Sequence, residues 1–252
     1  MTAGPRSGGE TPPTTAGDER KSLRRIPVAN RPNKVDPGDV AGTPVPLGSF
    51  DEFFASLPHI LQADALREVA RGVAGAVERR RTCLWMLGGH VVKTGLSPVL
   101  IWLMERKAIT HIAVNGSTVI HDYELARFGG TSEDVEAGLT DGSFGMALET
   151  GREMNLAIRA GCEDGLGLGA SLARELASRE DLLYPELSLL RAGHRLGVPI
   201  TVHAAIGAEI IHQHPEADGA AIGETSYRDF MALRRSAARS LPESADRAPQ
   251  PR

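Results

Sequence analysis

Residues 82–87, with the sequence TCLWML, form a short continuous apolar run that Gly88 and Gly89 bring to an end. The preceding segment is different, because between Ala63 and Val77 the apolar residues recur every three or four positions. That period is typical of an amphipathic helix, whereas a short uninterrupted run bounded by glycines indicates a buried strand of a parallel sheet. The chain is therefore predicted to change from helix to buried strand at residue 82.

The same pattern occurs twice more along the chain. The run 111–114 is ended by Asn115 and Gly116, and the run 198–202 follows Gly197, which closes a helical segment. Apolar residues at helical spacing lie between these runs. Strands that alternate with helices through short glycine turns predict βαβ units and a mostly parallel sheet. The expected fold class is α/β, with helices flanking the sheet.

The folded part is expected to span residues 46–236. Residues 1–45 are rich in Gly, Pro, Thr and charged residues, and residues 237–252 lack an apolar pattern. Both segments are therefore predicted to be disordered tails. Ser49 is the predicted N-cap of the first helix of the folded part.

The overall composition excludes several classes of protein. The 252 residues carry a net charge of -4, and only 4% of them are aromatic. A nucleic-acid partner would favour a strong basic excess or aromatic stacking platforms, so we expect none. No apolar run reaches the ~18 residues of a membrane span, and the N-terminus lacks a hydrophobic signal, which predicts a cytoplasmic protein without a membrane partner. Cys83 and Cys162 are too few for a disulfide framework and are predicted to be reduced thiols.

Ligands of open parallel sheets bind at the carboxyl ends of the strands, and three segments follow predicted strands. The first begins with Gly88 and Gly89, whose backbone N–H groups could approach a phosphate at a helix N-terminus. Lys93 could add a charge, and Thr94 and Ser97 could add hydroxyl groups. The segment is neither a dinucleotide fingerprint nor a P-loop. The alternative is a tight turn that needs glycine for backbone reasons alone.

The second segment contains Asn115, Gly116 and Ser117, which offer hydrogen-bond donors and leave room for a ligand. His121 and Asp122 follow at the expected start of the next helix. The carboxylate of Asp122 could hold ribose hydroxyls, or it could cap that same helix as one of its N-terminal residues.

The third segment runs from His203 to Pro215 and includes Glu209, His212 and His214. Its polar groups could contact a substrate or a cofactor, or they could lie on a surface helix. His212 and His214 are two residues apart, which would place them on different faces of a helix, so no metal site is expected.

Residues 129–151 connect the second segment to the next long helix. Thr131 or Ser132, followed by acidic residues, is typical of a helix N-cap. Residues 141–145, with the sequence DGSFG, are dense in turn-forming residues. Such a loop could be functional or could simply join two helices.

In the order and spacing of these features, Leu84–Asp134 resembles the early βαβ part of deoxyhypusine synthase. That family has a polar turn after its first core strand, where this chain has GHVVKTG at residues 89–95. Asn115-Gly116-Ser117 stands at the family's Thr-Ala-Gly-like strand end. VIHD at residues 119–122 stands where the family has Val-Glu-Glu-Asp, and Pro185–Glu209 is similar again.

The resemblance covers about Thr82–Phe230 and implies a Rossmann-like sheet, NAD as cofactor and a homo-oligomer, usually a homotetramer. Family members oxidise spermidine with NAD and transfer its aminobutyl group to a lysine, or in relatives to a small amine, through an imine on an enzyme lysine. The residues expected around the cofactor are Gly88, Gly89, Thr94, Ser97, Asn115, Gly116, Ser117, His121 and Asp122. The candidate catalytic residues are Lys93, His203 and Glu209, of which Glu209 would lie where an amine-binding acid sits.

The sequence also departs from the family. His121 replaces an acid, and Ala204 stands where the family usually has an aspartate. The family's carrier lysine lies in later strand-helix units, whereas no lysine follows Phe230 here, and Lys93 and Lys107 are the only lysines within residues 46–236.

Three functions therefore stay open. The first is an NAD-dependent transferase or oxidoreductase that acts on a polyamine or another small amine. The second is a non-catalytic NAD-binding or assembly partner of an active paralogue. The third is an NAD-independent hydrolase or lyase that uses His203, Glu209 and His214.

Overall fold

The computed structural model describes residues 23–240, and the chain divides after Arg67 into two compact units. The predicted tail segments 1–22 and 241–252 lie outside the described residues. No helix in the described range is long and apolar enough to cross a membrane.

The first unit contains short helical elements. Two 3-10 turns, Val28–Asn30 and Pro37–Asp39, lie in the described part of the predicted tail 1–45, and helix α1 follows at Phe50–Ser56. The Ser49 hydroxyl accepts the Glu52 N–H at 3.2 Å, and the Glu52 carboxylate accepts the Ser49 N–H at 2.7 Å. This reciprocal pair is a capping box, so the predicted N-cap at Ser49 is confirmed.

Helix α2, Leu61–Glu78, begins in the first unit and ends in the second. Its apolar residues have the period that the sequence showed between Ala63 and Val77. The helix predicted from that period is therefore confirmed.

The second unit is built on a three-stranded parallel sheet. Its strands are β1, Leu84–Leu87, β2, His111–Asn115, and β3, Ile200–His203, in the spatial order β1-β2-β3. All three predicted strands are thus present, and the α/β class with a parallel sheet is confirmed. The first and third strands each begin two residues later than predicted. The third begins after Pro199, which has no N–H to donate to a ladder.

Eight helices follow the strands or connect them in the second unit. They are α3, Gly89–Lys93, α4, Ser97–Glu105, α5, Gly116–Phe128, α6, Val135–Asp141, α7, Leu148–Glu163, α8, Leu168–Ser178, α9, Leu189–Leu196, and α10, Gly219–Ser240. Two 3-10 turns, Pro185–Leu187 and Ile210–Gln213, complete the described residues of this unit. Helix α10 continues four residues past the predicted domain end at residue 236. Gly197 closes α9 in the left-handed conformation that glycine favours, as the sequence indicated.

The two faces of the sheet differ in chemistry. Side chains alternate along a strand, so Ile112, Val114, Ile200 and Val202 share one face, and all four are buried in the main hydrophobic cluster. Residues 111, 201 and 203 point to the opposite face.

The opposite face carries a chain of polar contacts under helix α10. His111 Nδ1 lies 2.8 Å from the Ser236 hydroxyl, and its Nε2 lies 2.9 Å from the Thr201 hydroxyl. The Thr201 hydroxyl in turn lies 3.1 Å from Nε2 of His203. Burial, with the nearby charges of His203 and Arg239, lowers the pKa of His111 to about 4, so its ring is neutral.

Two buried carboxylates receive the backbone N–H groups of other elements. Asp229 of α10 accepts the N–H of Val202 on the outer edge of β3 at 2.7 Å and that of Gly169 in α8 at 2.8 Å. Asp122 of α5 accepts the N–H groups of Leu189 and Leu190, which begin α9, at 2.6 and 3.1 Å. Burial raises the pKa of both carboxyl groups to about 6, against the opposing effect of these hydrogen bonds.

We expect Asp122→Asn to lower the free energy of unfolding by about 1–3 kcal/mol. Both oxygens of the carboxylate accept hydrogen bonds, whereas the amide that replaces it has only one oxygen acceptor. The raised pKa makes the folded state bind the proton more tightly than the unfolded state. The contribution of this carboxyl group is therefore greatest below about pH 4 and is lost as the pH rises through about 6.

The stability difference between the wild type and Asp122→Asn should accordingly shrink from about pH 4 to about pH 6 and then level off. Urea denaturation at a series of fixed pH values measures it. A difference that grows with pH would contradict the assignment of a raised pKa.

Candidate functional site

The turns that follow the three strands meet at the carboxyl edge of the sheet. A cavity of about 250 Å³ lies there. Its polar lining consists of Lys93, Ser117, His121, Glu124, Ser132, Glu133 and Glu209, and its apolar lining includes Ile120, Val135, Phe144 and Ile210. Lys93, Ser117, His121 and Glu209, all of them predicted site residues, are therefore brought together around one cavity.

Two of the N–H groups at the N-terminus of α5 donate to side chains of the chain itself. Asn115 is its N-cap, and the Asn115 side-chain oxygen accepts the Thr118 N–H at 3.2 Å and the Ser117 hydroxyl at 3.0 Å. The N–H of Gly116 donates to Oε1 of Glu209 at 3.0 Å. A carboxylate from the loop after β3 thus takes the position at which a helix would otherwise attract an external anion.

Glu209 is held on both sides of its carboxylate. Oε1 also accepts the N–H of Ala205 at 3.0 Å, and Oε2 lies 3.2 Å from Nε2 of His212. That separation suits an ion pair, but the atoms are not aligned as a hydrogen bond, and this buried nitrogen has no hydrogen-bond partner among the described residues. Nδ1 of His212 accepts the N–H of Gly207 at 3.1 Å. The loop after β3 is therefore folded around its own carboxylate.

On the other side of the cavity a histidine is linked to a glutamate through a threonine. Nδ1 of His121 lies 2.7 Å from the Thr131 hydroxyl, which donates to Oε2 of Glu124. Oε1 of Glu124 accepts the Thr150 hydroxyl at 2.9 Å. Burial, followed by the positive charges of Lys93 and His90, lowers the pKa of His121.

A second cavity of about 370 Å³ adjoins the first and shares four of its lining residues. The shared residues are Glu124, Ser132, Glu133 and Ala147, and the second cavity adds Thr131, Glu149 and Thr150 among others. Both carboxylate oxygens of Glu133 accept the N–H of Gly145 at 3.0 Å, which fixes this side chain between the two cavities.

Several predicted site residues lie elsewhere. Asp122 is 1% exposed and lies in the middle of α5, not at the start of that helix as predicted. Its carboxylate accepts N–H groups at the N-terminus of α9, so it performs neither of the two roles that the sequence left open. His203 lies on the sheet face under α10, in contact with Thr201. His214 is buried, with Nε2 2.9 Å from the Gly145 carbonyl oxygen.

The predicted glycine turn leads from β1 directly into the short helix α3, as a strand-to-helix turn should. Gly88 precedes α3 without a side-chain cap, and open space surrounds the position where its Cβ would be. The Thr94 hydroxyl donates to the His90 carbonyl at 2.8 Å. The Ser97 hydroxyl is buried without a hydrogen-bond partner among the described residues, and Ser97 does not line either cavity.

The cavities are also lined by four residues that the sequence did not predict as site residues, Glu124, Glu133, Glu149 and Thr131. Glu124 could have been found, because Ser117, His121 and Glu124 are spaced four and three apart and share one face of α5. Thr131 does not cap a helix, since Asp134 is the N-cap of α6. No signal in the sequence places Glu133 or Glu149 at the sheet edge, because their positions depend on how the connecting loop packs.

NAD does not fit the residues as they are arranged. The Gly116 N–H that would receive a phosphate already donates to Glu209, and a second anion beside that carboxylate would be repelled. The oxygen of Asn115 is taken by Thr118 and Ser117, and Asp122 is enclosed in the core.

Comparison with known protein families found no family model that matches the chain, and comparison with curated proteins found no match. No three His, Cys, Asp or Glu side chains converge as metal ligands within residues 23–240.

Gly116 is predicted to be intolerant of any side chain. A Cβ at this position would overlap the Glu209 carboxylate, whereas a Cβ at Gly88 would meet nothing within 4 Å. We expect Gly116→Ala to lower the free energy of unfolding by about 1–3 kcal/mol. The matched change Gly88→Ala should stay within about 0.5 kcal/mol of the wild type.

A double-mutant cycle with Glu209→Ala tests the cause. If the clash with the carboxylate is responsible, Gly116→Ala should cost less stability in the Glu209→Ala background than in the wild type. Urea denaturation of the four proteins measures the coupling. An equal cost in both backgrounds would show that Glu209 is not what excludes a side chain.

Proposed function

We propose that the protein is an enzyme that binds a linear polyamine or another small di- or triamine across the two adjoining cavities. The observation that carries this proposal is the charge of the lining. Four carboxylates, those of Glu124, Glu133, Glu149 and Glu209, face one ammonium group, that of Lys93. A cavity lined mainly by carboxylates favours a cationic ligand. Because two such cavities adjoin, a ligand with positive charges at separate positions along its length is favoured.

The hydrogen bonds of the carboxylates support this proposal. Three of the four glutamates, Glu124, Glu133 and Glu209, are oriented by donors from the protein, such as the two threonine hydroxyls on Glu124 and the Gly145 N–H on Glu133. A carboxylate can accept about four hydrogen bonds, so each retains capacity for a ligand ammonium group. The apolar side chains of Ile120, Val135 and Phe144 would contact the methylene groups between the charges.

We assign the sheet to the Rossmann-like class as part of the same proposal. Three parallel strands in the order β1-β2-β3, joined through helices, match one half of such a sheet, and the cavity lies at the carboxyl ends of the strands where ligands of these folds bind. This arrangement is consistent with the resemblance to deoxyhypusine synthase. The homo-oligomer and the cytoplasmic location stay predictions of the sequence.

Calorimetric titration of the full chain tests the proposal. We expect saturable binding of spermidine, a linear triamine, and at least ~10-fold weaker binding of butylamine, which has a similar carbon chain but a single charge. The affinity for spermidine should fall as salt is added, because the interaction is between charges. Equal affinity for the two amines would contradict the proposal.

Two variants test whether the ligand binds beside Glu133 and Glu149. Glu133→Gln and Glu149→Gln should each weaken spermidine binding by roughly 3- to 10-fold, which corresponds to about 1 kcal/mol for a partly exposed charge pair. Glu136→Gln is the matched control, because Glu136 is an exposed residue of the neighbouring helix α6 that lines neither cavity. Titration with NAD in parallel distinguishes an amine site from a dinucleotide site.

A further inference from the structure

The link between His121, Thr131 and Glu124 fixes the positions of the hydrogen atoms. The Thr131 hydroxyl has a single hydrogen, and this hydrogen is donated to the Glu124 carboxylate. The oxygen of Thr131 can then act toward His121 only as an acceptor. Nδ1 of His121, at 2.7 Å, must therefore carry its hydrogen.

The other ring nitrogen is consequently unprotonated. A neutral imidazole has one N–H and one lone pair, so a hydrogen on Nδ1 leaves the lone pair on Nε2. The ring lines the first cavity together with Lys93 and Ser117. A Cβ on Gly89 would lie 2.9 Å from Cδ2 of His121 and 2.8 Å from the Ser117 hydroxyl, so only glycine lets α3 pack this closely against the ring.

The charges around the ring suit a base that is neutral at rest and can become charged. Burial, followed by the positive charges of Lys93 and His90, opposes protonation of the free ring and lowers its pKa. Glu124, reached through Thr131, would stabilise the positive charge once Nε2 has taken up a proton. In other enzymes, too, a carboxylate orients a catalytic histidine and stabilises its protonated form.

We propose that His121 is a general base of this site, with Thr131 and Glu124 as its positioning residues. The inference rests on the proposed function for the identity of the proton donor, an ammonium group of the bound amine. The N–H bond of the ammonium breaks, its electron pair stays on the amine nitrogen, and the proton forms a new bond to Nε2. The amine becomes neutral and nucleophilic, and the ring becomes an imidazolium. Its Nδ1–H continues to donate a hydrogen bond to the Thr131 oxygen.

Nuclear magnetic resonance of the protein labelled with ¹⁵N-histidine tests the first half of the proposal. The two ring nitrogens of His121 have distinct shifts in the two neutral tautomers. At neutral pH we expect the Nδ1–H form in the wild type. In Thr131→Val, which keeps the shape of the side chain and removes the hydroxyl, the ring should move toward the Nε2–H form.

Thr140→Val is the matched control, because Thr140 is exposed and its hydroxyl donates to the carbonyl of Glu136 within α6. It should leave the His121 signals unchanged. An Nε2–H ring in the wild type would overturn the proposal, as would an unchanged tautomer in Thr131→Val, since Thr131 would then not position the ring.

Acylation by diethyl pyrocarbonate, followed by peptide mapping, tests the second half, because this reagent attacks an imidazole lone pair. His121 should react in the wild type. It should react severalfold more slowly in Thr131→Val, because a smaller fraction of the molecules has the tautomer with the lone pair on Nε2. A His121 that does not react in the wild type would show that the lone pair does not face the cavity and would overturn the proposal.

Spermidine should protect His121 from the reagent if the amine lies beside the ring. This outcome separates the two proposals. If His121 shows the expected tautomer and reactivity but spermidine does not bind, the general base is retained and the amine site is overturned. Spermidine binding to a ring in the Nε2–H form would retain the amine site and overturn the base.

Discussion

The carboxylate of Asp229 holds the outer edge of the sheet, and the position of the site depends on it. β3 is an edge strand, so the N–H and C=O groups on its outer side have no neighbouring strand to pair with. Asp229 accepts the N–H of Val202, while the neighbouring Ser226 hydroxyl donates to the Val202 carbonyl at 3.2 Å and accepts the Ala204 N–H at 3.0 Å. Side chains of α10 thus perform the role of a fourth strand. The same carboxylate receives the N–H of Gly169, and a Cβ on Gly169 would overlap the carbonyl of Ile200, so α8 approaches β3 only because this residue is glycine.

A fixed end of β3 determines where the loop after it can go. The loop leaves the strand at Ala204 and returns Glu209 to the start of α5, where the carboxylate meets the Gly116 N–H. The buried aspartates and the cavity glutamates therefore have different roles although both accept backbone N–H groups. Asp122 and Asp229 are enclosed, and burial raises their pKa values. Their contribution to stability declines as the pH rises, whereas that of His111, whose pKa burial lowers, declines as the pH falls toward about 4.

The sequence could predict the elements of the second unit better than the identity of the site residues. Continuous apolar runs and glycine turns located all three strands, and the rule for parallel sheets located the edge at which polar side chains meet. Asp122 and His203 lie away from the cavity because of the direction of their side chains. Asp122 is one residue after His121, and about 100° of helical rotation turns it toward α9. His203 shares the face of Thr201 by the alternation of a strand. Thr131 and Glu133 belong to a loop whose path follows from packing, and Glu149 lies in the first turn of α7, whose position depends on the same packing. Local sequence patterns do not determine it.

The histidine at position 121, which departs from the acid found in deoxyhypusine synthase, is consistent with the carboxylates that surround it. An acid there would add a fifth negative charge next to Glu124 and Glu133, and such a group would ionise only at a raised pKa. A neutral imidazole adds no charge, and it can take up a proton at the moment when the ammonium group of a ligand gives one up. The charge then moves from the ligand to the ring without changing the total within the cavity, and Glu124 is placed to stabilise it in either position. In the proposed amine site, a histidine at this position would therefore allow a proton to be removed while the carboxylates bind the cation.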